Sequence, residues 1–217
     1  MSCAICETRK EKRFCPAIHG RICPQCCGTE REVTLDCPSE CPYLQQARAH
    51  EKPRSLDQVD QSVLFPQVAL SEQFLYEHEH LVLGLSFGIA KAARTNRLVN
   101  DRDVIAALTS LAKTYETLVN SGLVYETPTT NIVQQAVAGE IQKMIAEYRE
   151  VEQKQIGYSA LKDSDVLRAL VFLVRMAEAR TSGRPKSRAY LDFLFTQFPE
   201  KQGVVGAQSA GSSIIVP

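Results

Sequence analysis

From residue 63 onward, apolar and polar positions alternate along the chain with the spacing of helices. Val104, Leu108, Leu111, Tyr115 and Leu118 recur at alternating steps of four and three, which predicts a helix capped by Asn100 or Asp101 and ended by Gly122. A second pattern runs through Val133, Val137, Ile141, Met144, Tyr148 and Val151, after Pro128-Thr129-Thr130, and stops near Gly157. The run VLRALVFLVRMAEA, with Asp163 or Ser164 as its cap and Ser182-Gly183-Arg184-Pro185 as its end, is apolar over a wide arc and predicts a central helix. Tyr190, Leu191, Leu194, Phe195 and Phe198 outline a short last helix, and 71–94 a first one. Five such helices over 63–199 make an α-bundle. Gly84 and Gly88 lie inside the first, where glycine costs about 1 kcal/mol relative to alanine. Close approach of a neighbouring helix is the expected compensation.

The first fifty residues carry no such pattern. Arg31–Asp36 (REVTLD) is the one plausible strand there, and large apolar residues are few. What this stretch has is thiols: all eight cysteines lie at or before Cys41. They arrive with one histidine in four closely spaced groups: Cys3/Cys6, Cys15/His19, Cys23/Cys26/Cys27 and Cys37/Cys41. A C-x2-C knuckle reverses the chain and can aim two thiolates at one tetrahedral ion. Cys15, Cys23 and Cys37 are each followed by proline, which fixes a bend beside the sulfur. About 45 residues this poor in apolar groups cannot fold by burial alone, whereas structural zinc contributes on the order of 10 kcal/mol. The expected organisation is mainly α: a cysteine-rich zinc-binding module at 1–47, a polar linker at 48–62, the bundle at 63–199 and a disordered tail at 200–217 in which IIVP is a short docking peptide.

Composition narrows the chemistry further. Lys+Arg and Asp+Glu both number 25, so no global field recruits nucleic acid or an anionic membrane. The start has no secretory pattern, and the longest apolar run, LVLGLSFGIA, is about half of what spans a bilayer. A cytoplasmic location follows as the expectation, and there thiols stay reduced and a disulfide framework is disfavoured.

The order C-x2-C, C-x3-H, C-x2-C-C, C-x3-C resembles the cross-braced zinc fingers of the HIT and MYND type. The run CPAIHGRICPQCCGTEREVTLDCPSECPYL is also similar to the N-terminus of a set of uncharacterised bacterial proteins. The first resemblance implies two Zn2+ ions, one held by groups one and three and the other by groups two and four. Carried onto this chain, it places Cys3, Cys6, Cys23 and Cys26 around one ion, and Cys15, Cys27, Cys37 and Cys41 around the other. His19 is a ninth candidate for eight places, and its use would leave Cys26 or Cys27 free. Adjacent extended residues point opposite ways, so Cys26 and Cys27 can serve different ions. Ligands in excess argue for closed structural sites rather than a catalytic one, which keeps a position open.

Function divides into three classes. The first is an interaction protein, a zinc-stabilised module docking a protein partner beside a bundle that offers a second surface or a homo-oligomer contact. The second is nucleic-acid binding through Arg9, Lys10, Lys12 and Arg13 or through the corner Arg180, Arg184, Lys186 and Arg188. Charge opposes it, because residues 1–50 with eight thiolates and two zinc ions carry a net −3. The third is a thiol redox sensor built on Cys26 or Cys27. An enzyme is disfavoured, since nucleophile-elbow, phosphate-loop and H-E-x-x-H motifs are absent. Glu77-His78-Glu79-His80 contains one E-x-x-H but lacks the second that a carboxylate-bridged di-iron site needs, and reads as a solvated helix edge.

Overall fold

A computed structural model of the protein describes residues 1–52, 54–125 and 131–200. Two short strands, β1 (Arg13–Cys15) and β2 (Gly20–Ile22), precede the helices α1 (Pro24–Glu30), α2 (Pro42–His50), α3 (Glu72–Glu77), α4 (Glu79–Thr95), α5 (Asp101–Ser121), α6 (Ile132–Ile156), α7 (Asp163–Arg180) and α8 (Ala189–Gln197). The fold is mainly α, as the periodicity predicts. The tail sequence beyond Glu200 and Pro128-Thr129-Thr130 lie outside the described residues.

The helix ends show why these segments stop where they do. Asn100 accepts the amides of Arg102 and Asp103 while the Asp103 carboxylate accepts the amide of Asn100, closing a capping box on α5. Gly122 at φ 70° and Gly157 at φ 83° end α5 and α6 in the left-handed conformation that glycine adopts without strain. The start of α7 differs from the expectation: Lys162 holds the cap position without a side-chain bond. Asp163 lies inside the first turn and accepts from Arg149 at 2.6 Å. The predicted first helix is two, broken at His78 (φ −113°, ψ 23°).

In the core, α7 is central, with Val166, Leu170, Val171, Leu173, Val174 and Ala177 fully buried. Helices α5 and α4 pack on α7, α6 packs on both α4 and α5, and α8 closes one end. Buried Asp101 accepts the amides of Tyr190 and Leu191, both at 3.2 Å, and so caps α8, whose own N-cap Arg188 makes no side-chain capping bond. The two glycines of α4 separate. A Cβ at Gly88 would stand 2.6 Å from Cγ of Met144 on α6, so close approach explains that residue. At Gly84 it would meet nothing within 4 Å; Gly84 instead lines an open groove between α4 and α6.

The N-terminal fifty residues hold two corrections. The strands pair as a hairpin, Arg13 opposite Ile22 and Cys15 opposite Gly20. Arg31–Asp36 is not a strand but a tight turn, closed by an isolated bridge between Arg31 and Leu35, with the amides of Val33, Thr34 and Leu35 all directed at the Glu30 carbonyl. The turn puts Glu32 (φ 52°) inward, where it is 1% exposed.

That buried carboxylate is the centre of the seam with the bundle. Arg48 on α2 donates to Glu32 at 2.8 Å and to Asp192 on α8 at 2.5 Å, while Ser182 donates to the other Glu32 oxygen at 3.1 Å. The Lys186 amide donates to the Glu32 carbonyl, and Arg184 donates to the carbonyls of Gly28 and Arg31. Burying one carboxylate is tolerable here because each oxygen has a donor, one of them cationic.

Candidate metal centre

The knuckle Cys3-Ala-Ile-Cys6 reverses at Glu7, whose φ of 54° lets its amide return to the Cys3 carbonyl at 2.8 Å. Facing it, β2 delivers Cys23 to the N-cap of α1, and Pro24 occupies the first turn, where a missing N–H costs nothing. One turn later Cys26 points back toward Cys23. The sulfurs of Cys3, Cys6, Cys23 and Cys26 all lie within 4.8 Å of one another. A tetrahedral ion with metal–sulfur distances of about 2.3 Å holds its four sulfurs about 3.8 Å apart, so the cluster is nearly closed to that geometry. Four thiolates suit a soft tetrahedral cation, and this four-cysteine cluster can hold a metal ion.

Amides and cations already aim at the sulfurs. The Cys23 amide donates to the Cys3 sulfur at 3.2 Å, the Ile5 amide to the same sulfur at 3.5 Å, and the Cys26 amide to the Cys23 sulfur at 3.4 Å. The Arg9 guanidinium lies 3.8 Å from the Cys23 sulfur and 3.9 Å from that of Cys26. Without a metal the four thiols cannot all ionise together. Hydrogen bonds from the Thr8 side chain and the Arg9 and Thr8 amides hold Cys6 down at about 5, and the Cys26 amide lowers Cys23. Burial, reinforced by Cys23, Cys6 and Cys3, pushes Cys26 up to about 12. The Cys26 proton therefore stays until a cation replaces it.

The other four cysteines converge less tightly. Cys15 from β1, Cys27 from α1, Cys37 and the α2 N-cap Cys41 line one small cavity of about 10 Å3, walled by Ile22, Leu35 and Leu44. Among the described residues, only the first four meet the 4.8 Å spacing. Arg13 donates to the Cys27 sulfur at 3.5 Å and stacks over the Tyr43 ring. Burial pushes the Cys37 thiol up, partly offset by the Glu32 amide, and the neighbouring Cys15 and Cys41 raise it further. His19 stands exposed at the hairpin turn (φ 50°), outside both groups.

The remaining candidates are placed elsewhere. Glu77, Glu79 and His80 are exposed, and His78 packs against the Phe74 ring beside Asp165. The basic corner is occupied by the seam: Arg184 and Lys186 donate to carbonyls of residues 28–34, Arg188 to the Arg97 carbonyl, and Arg180 stacks on Phe193 at 3.6 Å. Sequence reasoning missed Arg9 and Arg13 as partners of sulfur. Their position in a basic loop between two ligand groups is the signal that could have found them. No helix of the described residues is long and apolar enough to cross a membrane. No family model, curated protein or solved structure matches the chain, so the cross-brace likeness rests on the cysteine spacing.

Proposed function

We propose that the protein is a non-enzymatic, zinc-stabilised interaction protein of a reducing compartment. Its N-terminal module holds two Zn2+ ions, one on Cys3, Cys6, Cys23 and Cys26 and one on Cys15, Cys27, Cys37 and Cys41. The observation that carries the reading is the cluster of Cys3, Cys6, Cys23 and Cys26 set directly behind an exposed apolar tip. Ala4 of the knuckle donates its amide to the Arg21 carbonyl of β2, and around that junction Ile5, Phe14 and Ile18 are 37%, 53% and 41% exposed. Metal order on one side and uncovered apolar side chains on the other suit a docking surface for a protein partner.

Two rival readings lose support. The basic corner is engaged with the module's own carbonyls, which leaves it little capacity for phosphate. A redox sensor needs an accessible thiolate, whereas Cys26 and Cys27 are only 7% and 8% exposed. Native mass spectrometry of protein purified without chelator should show two zinc ions per chain. Phe14→Ser with Ile18→Ser should then abolish capture of a protein partner from nuclease-treated extract while keeping both ions. Protein without metal would sink the structural reading, and capture that depends on nucleic acid would sink the choice of partner.

A further inference from the structure

The bundle contains a site unrelated to the cysteines. Between the segment that follows α2, the outer face of α5 and the end of α7 lies a cavity of about 500 Å3. That is within the range of pockets that bind small molecules, roughly 300–1,000 Å3. Helical spacing builds its floor. Arg102, Ile105, Ala106, Thr109 and Lys113 fall three and four residues apart on one face of α5, and Val63 and Thr181 complete the walls. Three cations line it, Arg54, Arg102 and Lys113, against one carboxylate, Glu178.

Glu178 is already satisfied. Arg54 pairs with it at 2.8 Å, its guanidinium lying close over Gly183, which at φ 74° carries no Cβ to push it away. Among the described residues Arg102 donates to the Gly183 carbonyl alone, at a long 3.3 Å, and neither it nor Lys113 forms an ion pair. Hydrogen bonds from Ser62 hold Asp60 below the usual carboxylate range, and the Lys113 charge adds to that. In the wall between them, the Thr109 hydroxyl oxygen is buried without a partner among the described residues. A buried hydroxyl without a partner loses free energy that a bound acceptor would restore.

We infer that this cavity binds a small organic anion, a carboxylate or phosphate on an apolar body. The anionic end meets Arg102 or Lys113, which stand eleven residues and about 16 Å apart on α5. Ile105, Ala106 and Val63 cover the body, and Thr109 hydrogen-bonds it. The inference does not depend on zinc or on the docking tip.

The probe is 8-anilinonaphthalene-1-sulfonate, an apolar aromatic body with one anionic group, compared with N-phenyl-1-naphthylamine, the same body without the sulfonate. Titration of the full metal-loaded chain should give one saturable site for the sulfonate and at least tenfold weaker binding of the neutral analogue. Arg102→Glu or Lys113→Glu should weaken the sulfonate at least tenfold, and Ala106→Trp should fill the space. Lys143→Glu, on the exposed face of α6, should leave it unchanged. Circular dichroism keeps folding apart from binding, and the exposed Arg102 and Lys113 variants carry the test if Ala106→Trp does not fold. Equal affinity for both probes, several equivalent weak sites, or binding untouched by the charge reversals in folded protein would overturn the inference.

Discussion

The two halves of this molecule reach a fixed structure by different means. The bundle closes on aliphatic side chains: α7 alone buries Val166, Leu170, Val171, Leu173 and Val174 completely, and the caps and glycine stops of α5 and α6 are local. The module's buried cluster is sulfur, with only Ile22 and Leu35 as large aliphatic members. Burial at about 25 cal/mol per Å2 can carry the first, but hardly a segment of fifty residues with three large buried aliphatics, Ile22, Leu35 and Leu44. On the proposed reading, stability in one half is a property of the chain, and in the other a property of the chain plus its ion. Between them the seam is polar, so neither half lends the other much apolar area.

Removing the metal is the strongest way to break that contrast. Chelation, or Cys23→Ala, should withdraw a contribution on the order of 10 kcal/mol from the module. Amide resonances of residues 1–50 should collapse while most of the far-ultraviolet helical signal survives. Cooperative loss of the whole signal would show that the bundle too depends on the ion.

The seam comes next. Arg48→Met leaves Glu32, 1% exposed, without its cation, and breaking a buried pair in this way costs about 3–5 kcal/mol. Denaturant unfolding should show a module transition separated from that of the bundle, and limited proteolysis should cut between them. Arg48→Met combined with Glu32→Leu should recover much of the loss, because no buried charge then remains unpaired.

The smallest effects sharpen the picture of the bundle. Gly84→Ala meets nothing within 4 Å and should stabilise by roughly 0.5–1 kcal/mol through helix propensity. Gly88→Ala drives a methyl into Met144, so overpacking of about 1–3 kcal/mol opposes the same gain and the net change should be a loss. Thermal unfolding of the two variants in opposite directions would show that one face of α4 is tightly packed on α6 at one turn and open at the next.

What was legible in the sequence follows the same divide. The ends of α5 and α6 were readable because Asn100, Gly122 and Gly157 act within a few residues of where they stand. The knuckle spacing made each local pair readable, Cys3 with Cys6 and Cys23 with Cys26, but their joining into one cluster came from the cross-brace resemblance, because spacing alone does not say which pairs meet. Helix α1 was missed because proline after Cys23 was read as a bend, and α2 because Pro42 after Cys41 was passed over, whereas Pro24 and Pro42 sit in first turns with Cys23 and Cys41 as N-caps. The strand expected at Arg31–Asp36 failed because Glu32 answers to Arg48 and Ser182, not to its neighbours. The basic corner read as a phosphate grip for the same reason, its true acceptors being backbone carbonyls some 150 positions away.

That separation also sets a timetable for synthesis. Arg184 leaves the ribosome 156 residues after Gly28, whose carbonyl it will engage, and Asp192 follows Arg48 by 144. At about 5–20 residues per second the interval is roughly 8–30 s. For that time the nascent module holds a carboxylate whose Ser182 partner does not yet exist, and no bundle stands behind it. On the proposed reading, ion capture by Cys3, Cys6, Cys23 and Cys26 is what keeps those fifty residues in shape until the rest of the chain arrives.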